Sequence, residues 1–386
     1  MKINKRAEVC MNFNNIKNNT KIGLIDCDLI SKKRYNFPNL ALMKLSSFFK
    51  NKNCMVSLTN YDSANPYGLF YNEYDYLFAA KVFSNTISPE FIKNTKKIMI
   101  GGSGFHYDTN HGLPKEIEHF KPDYNLYSQF KNTEFFTNYS IGFITRGCFR
   151  KCMFCINQNY DKVFRHSFVD EFLDIKRPYI MLLDDNISGF SGFYDVFDEL
   201  DATGKPFIFK QGMDFRILSL KKMQRLWKSN YYSGRKKSKS GRTFFFAFDD
   251  IKDYDLIEKK LNIYYSNIPY HHNLIFYIFT GFDREYKYDS DFFERDIREC
   301  LQRIELLFNY GAFGYVMLHE NYKKSPYANL LNELKNICNA PIHVAGKYLG
   351  DALIQKGYTD LYDWLKDNEP HYLKLYQNIK RKKSNE

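Results

Sequence analysis

Ser140-Ile141-Gly142-Phe143-Ile144-Thr145-Arg146-Gly147-Cys148-Phe149-Arg150-Lys151-Cys152-Met153-Phe154-Cys155 is the stretch on which the reading of this chain turns. An apolar run of strand character leads directly into three cysteines spaced Cys-x-x-x-Cys-x-x-Cys. Three thiolates on one short loop can hold three irons of a cubane 4Fe–4S cluster, which normally takes four ligands, and leave the fourth iron open to a small molecule. Gly147 lets the loop turn around a bulky inorganic group, and Arg146 or Arg150 can offset the negative charge of cluster and thiolates. The alternative is a Cys₃His zinc site with His166 as fourth ligand. Structural zinc, however, usually draws on two separated pairs, and no second Cys-x-x-Cys exists. Three unligated buried thiols would have no need to share a loop.

Composition sets the frame. A chain of 386 residues suggests two domains, or a barrel with an added unit, and 44% hydrophobic content allows a full core. No apolar run approaches the roughly 20 residues that span a bilayer, and no signal-peptide pattern follows the basic start. Eight cysteines are too few for a disulfide framework, and their usage points to a reducing cytosol, hence a cytoplasmic protein. The excess of 56 basic over 44 acidic residues, net +12, sits largely in the loop Lys228–Arg242 and the tail Lys380–Lys383. A solvated surface and a phosphate-rich partner both account for such runs.

Short apolar runs alternate with amphipathic stretches from Lys21 onward, which predicts an α/β fold with largely parallel sheets. Residues 20–125 read as a Rossmann-like open sheet, with strands at Ile22–Ile25, Met55–Leu58, Tyr76–Phe83 and Lys97–Ile100. A helix opening at Pro38 places Leu42, Leu45 and Phe49 on one face. The turn Gly101-Gly102-Ser103-Gly104 is either a tight reversal or a place where backbone meets a ligand. Residues 138–322 carry six further strands, at Ser140–Thr145, Tyr179–Leu183, Pro206–Phe209, Thr243–Phe248, Leu274–Thr280 and Phe313–Leu318. The clearest helix between them is Asp291–Asn309. Residues 323–386 read as a short helical extension, including Leu361–Tyr376 with a break near Pro370.

The cysteine spacing, with Phe154 before the last ligand, resembles the signature of the radical S-adenosylmethionine (SAM) enzymes. Six strand–helix units with the cysteines after the first strand are similar to that family's partial (β/α)₆ barrel of TIM type. The resemblance implies an oxygen-sensitive 4Fe–4S cluster on Cys148, Cys152 and Cys155, SAM chelated at the open iron, and reductive cleavage to a 5′-deoxyadenosyl radical that abstracts hydrogen. It also implies an electron donor such as flavodoxin or ferredoxin, and a small molecule, peptide or RNA as substrate.

Ligand chemistry in such barrels gathers at the carboxyl ends of strands, which selects the remaining candidates. Asp184, Asp185 and Asn186 stand where the family binds the SAM amino group, although its Gly-Gly-Glu-like segment is absent; helix capping is the competing role. Gln211, Asp214 and Arg216 follow the third strand. Arg216 can hold a carboxylate bidentately or pair internally with Asp214. Asp249 follows the fourth strand, where a carboxylate suits two ribose hydroxyls. Thr280 and His319, at the ends of the fifth and sixth, can touch adenine or substrate or serve as hydrogen-bonded wall residues. The pair His271-His272 looks incidental.

The leading unit resembles the cobalamin-binding branch of the family, through Phe37-Pro38-Asn39-Leu40-Ala41-Leu42 and Ile98-Met99-Ile100-Gly101-Gly102. That adds cobalamin as a cofactor and methyl transfer as a reaction, without the Asp-x-His-x-x-Gly motif that would supply a histidine to cobalt. Cys10, Cys27 and Cys54 ahead of the barrel resemble the methylthiotransferases, an RNA- or peptide-modifying alternative. A non-enzymatic protein with structural zinc and a nucleic-acid-gripping loop is the reading from another class.

Overall fold

The computed structural model describes residues 13, 16–31, 37–59, 73–88, 92, 98–105, 112–130, 134–232, 243–268, 273–339, 365–366 and 369–373. Two compact units divide the chain: residues 1–142 with 167–180, and residues 143–166 with 181–386. The architecture is mixed α/β with several parallel sheets.

In the first unit, β1 (Lys21–Asp26) is apolar on both faces, as a central parallel strand must be. It lies between β2 (Met55–Leu58) and β3 (Tyr76–Ala80), and β3 pairs in turn with β4 (Ile98–Gly101), giving the order β2-β1-β3-β4 with every pairing parallel. Ile22, Leu24 and Phe78 face one core with Leu42, Leu45 and Phe49 of the helix that follows β1. Ile25, Leu77 and Ala79 face a second core that includes Cys27. Each fully buried Leu or Phe contributes about 2 kcal/mol.

The short helix α1 (Cys27–Ser31) leaves β1 directly, and α2 (Leu40–Asn51) is the helix expected from Pro38. It starts two residues later than that proline, because the Asn39 side chain accepts from Leu42 N–H and so forms the cap. Strand β3 stops at Ala80, short of the expected Phe83. There Asp28 takes the Val82 N–H at 2.6 Å and the Thr86 hydroxyl, turning the chain away. Gly102 sits at φ 93°, and a Cβ on it would meet Lys81 O at 2.4 Å, so the glycine turn is a steric requirement of this reversal.

The expected strand Ser140–Thr145 is divided. Its first part is β5 (Tyr139–Gly142), and Tyr179 N–H donates to Asn138 O at its start. Its second part is β6 (Thr145–Arg146), which pairs antiparallel with β7 (Phe164–Arg165), Thr145 opposite Arg165 and Arg146 opposite Phe164. The break has a cause: Asp184 takes the backbone N–H groups of Ile144 and Thr145, at 3.1 and 2.6 Å, in place of a ladder partner. The cysteine loop therefore hangs between β6 and β7 of the second unit.

Strand β8 (Tyr179–Leu182), whose last two residues belong to that unit, neighbours β9 (Phe207–Phe209), and Lys210 N–H continues the contact to Leu182 O at 2.8 Å. Strands β10 (Thr243–Ala247), β11 (Asn273–Thr280) and β12 (Phe313–Leu318) form a parallel sheet in chain order. A parallel bridge from Met213 to Phe246 joins the segment after β9 to β10. Helices alternate with these strands: α3 (Phe193–Ala202), α4 (Leu220–Lys228), α5 (Tyr254–Asn267), α6 (Ser290–Asn309) and α7 (Ala328–Asn339). No closed barrel forms among the described residues.

Helix α6 begins on Asp289, whose side chain accepts from Phe292 N–H, and of the apolar face expected from its spacing it buries Ile297, Cys300, Leu301, Ile304 and Leu307, while Phe308 stays half-buried. Within the same face lie Asp296 and Arg303, both buried. The basic stretch 233–242, His271-His272, Cys10 and the tail Lys380–Lys383 lie outside the described residues, as does most of 340–386. Of the helix expected over Leu361–Tyr376, residues 365–366 and 369–373 are described; 365–366 and 372–373 are helical, and 369–371, around Pro370, are not. None of the described helices is long and apolar enough to cross a membrane.

Candidate functional site: the cysteine loop and the strand ends around it

Gly147 opens the loop at φ 92°, and a Cβ there would meet Lys162 O at 2.4 Å, so the turn into Cys148 admits no other residue without strain. Cys148, Cys152 and Cys155 are all unbridged and partly exposed. Backbone and amide N–H groups point at two of the sulfurs. Cys148 Sγ accepts from Arg150 N and from Asn186 Nδ2, each at 3.4 Å, and Cys155 Sγ accepts from Asn157 N at 3.4 Å. Such donors favour a thiolate. Burial pushes the Cys152 thiol up to about 11, with Asp249, Cys155 and Cys148 adding to the rise. Burial also raises Cys155, with Cys148 among the neighbours that add to it, and the Asn157 N–H opposes the rise. The three sulfurs thus share a neighbourhood. They are not drawn onto one point: no group of three or more His, Cys, Asp and Glu side chains is set as a metal site among the described residues. The donor set, all thiols with N–H groups turned toward two of them, fits an iron–sulfur cluster, which would take the three sulfurs as deprotonated ligands.

Phe154 packs into an aromatic group. Its ring lies 4.3 Å from Phe279 and 5.9 Å from Phe282, and the His319 ring is 5.1 Å from Phe282. His319 Nδ1 accepts from Asn321 N–H and caps the following turn, the wall role weighed from the sequence. The Thr280 hydroxyl donates to Asp296 at 2.5 Å, and Gly281 N–H donates to the same carboxylate oxygen at 2.8 Å, so Thr280 is spent inside the protein. Asp249 accepts from Phe279 N–H at 3.2 Å, and burial lifts its carboxyl to about 6 against the pull of Arg303.

The acidic strand ends serve the loop itself. Asp184 is 2% exposed and takes Ile144 N, Thr145 N and the Thr145 hydroxyl; burial raises it to about 6, with those bonds opposing. Asp185 takes Arg146 Nε at 3.1 Å, Gly147 N at 2.7 Å and Asn157 Nδ2 at 3.0 Å. Asp214 bridges Arg150 Nε and Arg216 Nε, both at 2.7 Å, and Arg216 reaches on to Asp253. Each of these three guanidinium groups therefore already faces a carboxylate. Gln211 is exposed beyond β9. Asn186 is the exception: 4% exposed, it spends its amide N–H on Cys148 while its Oδ1 has no hydrogen-bond partner. A buried acceptor left open beside the first cysteine suits an incoming donor such as an ammonium group.

Sequence reasoning passed over Asn157, Asp253, Asp296 and Arg303. Asn157, two residues past Cys155, was within reach of the motif. Arg303 was hidden by its place on an apolar helix face; it donates to Phe248 O and Phe279 O, each at 3.1 Å, and so ties the ends of β10 and β11 together. His166, the zinc alternative, has its ring against Phe143 at 5.9 Å and its N–H on Ile144 O.

In the first unit the reversal of strand order lies between β1 and β3, where open parallel sheets bind ligands beyond the carboxyl ends. Among the described residues at that edge, the polar groups are buried and bonded to one another. Asp26, Cys27, Asp28, Lys81 and Thr86 are all buried. Tyr127 OH donates to Asp26 at 2.7 Å and accepts from Asn39 N–H at 3.0 Å, while Lys81 Nζ donates to Thr86 O and lies over the Phe105 ring. The described residues there do not fit cobalamin. Cys27 and Cys54 belong to different cores, on opposite faces of the sheet. Comparison of the sequence with protein-family models and with curated proteins returned no match.

Proposed function

We propose that this chain is a radical SAM enzyme whose cluster ligands are Cys148, Cys152 and Cys155. The observation that carries the reading is the loop itself: three partly exposed thiols at Cys-x-x-x-Cys-x-x-Cys spacing, with N–H groups on two sulfurs, beside parallel strands. Strands β8 to β12 follow one another in chain order with helices between, which supports a partial (β/α)₆ barrel. A 4Fe–4S cluster bound there would supply one electron, received from a donor such as flavodoxin or ferredoxin, to cleave SAM to a 5′-deoxyadenosyl radical.

The chain's own residues divide the work around that group. Asn186 offers its open Oδ1 to the amino group of SAM, and Asp249 offers a carboxylate for the ribose hydroxyls. Asp184, Asp185 and Asp214 hold the loop, Thr280 and Arg303 brace the strand ends, and Phe154 anchors the loop's apolar side. The substrate served by that chemistry would be a small molecule, peptide or RNA that gives up a hydrogen atom. No step is assigned to cobalamin, because the described polar groups beyond β1 and β3 are bonded to one another. A second cluster of methylthiotransferase type finds little support, since Cys27 and Cys54 face different cores.

Anaerobic reconstitution tests the proposal. A brown protein with about four irons per chain that yields 5′-deoxyadenosine from SAM under dithionite is expected. A colourless protein holding one zinc would overturn it in favour of the structural-zinc reading.

A further inference from the structure

We propose that Asp185 is a positioning residue that clasps the two ends of the cysteine loop and thereby holds the cluster in the protein. This inference rests on the function proposed above. One carboxylate meets both ends of the loop. Its Oδ2 accepts from Gly147 N–H at 2.7 Å and Arg146 Nε at 3.1 Å, just ahead of Cys148. Its Oδ1 accepts from Asn157 Nδ2 at 3.0 Å, just past Cys155. The span that carries all three thiols is therefore closed through a single side chain anchored behind β8.

The clasp is built to stay shut. Arg146 is held from its other side by the Phe143 ring, 4.3 Å from the guanidinium carbon. Its neighbour Asp184 is buried and fixes Ile144 and Thr145, so the leading end arrives in one position. Asp214 takes Arg150 in the middle of the loop. Between those fixed points the sulfurs still have to close onto a common centre, and Asp185 shortens the range over which they search. An unclasped loop must order itself each time iron binds and can release iron by swinging one end away. Asp185 touches neither sulfur nor iron; it acts through Gly147 and Asn157, as groups behind metal ligands generally do.

The test measures iron retention, not catalysis. Wild type, Asp185→Asn, Asp185→Glu and Asn157→Ala are reconstituted anaerobically with ferrous iron and sulfide, desalted, and challenged with a ferrous chelator. Thermal melting of each apoprotein is followed in parallel. Wild type is expected to keep about four irons per chain. Asp185→Asn is expected to lose them about 10- to 100-fold faster, out of proportion to any change in melting, with Asn157→Ala intermediate and Asp185→Glu nearer wild type. Equal release from wild type and Asp185→Asn overturns the clasp and leaves the proposed function standing. A wild type that takes up no iron overturns both. Should Asp185→Asn fail to fold, an unchanged release rate in Asn157→Ala overturns the clasp equally well.

Discussion

Two acidic strand ends, one in each unit, look alike in sequence and do different work. Asp26-Cys27-Asp28 ends β1, and Asp184-Asp185-Asn186 follows β8. Both place buried carboxylates at the carboxyl edge of a parallel strand, and both take backbone N–H groups from a neighbouring segment. The first set is closed: Tyr127, Val82 and Thr86 meet its carboxylates, and every residue of it is buried. The second set fastens a loop whose three thiols remain partly exposed, and it leaves one buried acceptor, Asn186 Oδ1, without a partner. Acidity at a strand end therefore marks neither a site nor its absence. What separates the two is whether the surrounding polar atoms are all answered from within the chain.

That contrast can be broken in four ways, the largest effect first. Cys152→Ala removes a proposed ligand from the open set, and both cluster retention and 5′-deoxyadenosine formation should be abolished; an equal yield from the variant would dismiss the loop as the site. Asp184→Ala should be the most damaging to the fold, since it strands three donors in a buried place at about 1–3 kcal/mol each. Chemical denaturation should show a loss of about 3–5 kcal/mol, and a near-neutral result would mean that the loop is held elsewhere.

The closed set gives a pH signature. Burial raises Asp26 to about 6, with the Tyr127 hydroxyl and the Leu29 N–H opposing. A carboxyl whose folded pKa lies above its unfolded value takes up a proton on folding. Its contribution is therefore most favourable below about pH 4 and is lost as pH rises to about 6, a swing of about 3 kcal/mol. Asp26→Asn removes that dependence, so urea titrations should find the variant gaining on wild type between pH 4 and 6 and holding its gain above. A difference that is flat with pH would show that Asp26 is not the buried acid described. The smallest effect belongs to Thr280→Val, which deprives Asp296 of one donor and should cost about 1 kcal/mol of stability. SAM affinity should stay unchanged; a large loss of SAM binding would return Thr280 to the ligand.

Much of this was legible beforehand, for reasons that can be named residue by residue. Ile22–Ile25 announced a strand as an unbroken apolar run, because a central parallel strand buries both faces, whereas Met55–Leu58 and Phe313–Leu318 announced strands by their largely apolar composition although alternate residues stay exposed. Leu42, Leu45 and Phe49 announced a helix face by spacing alone. Pro38 misled by two residues, because a side-chain cap at Asn39 outweighed the preference of proline for a first turn. Ser140–Thr145 read as one strand because nothing in its own sequence reveals that Asp184, about 40 residues away, would claim its backbone. Arg216, Thr280 and the two aspartates after β8 stand at strand ends, as their places in the sequence imply, but their partners decide what they are free to do.

The sequence by itself determined the alternation of strand and helix, the spacing of three cysteines on one loop, and the glycine at which that loop turns. These follow from local chain geometry and from the chemistry of neighbouring side chains. Only the tertiary structure decided that Asp184, Asp185 and Asp214 grip the loop, that Tyr127 closes the edge of β1, and that Asn186 keeps an open acceptor. Hydrogen bonds between residues far apart in the chain exist only after folding has brought donor and acceptor within about 3 Å, and no pattern along the sequence encodes which pair will meet.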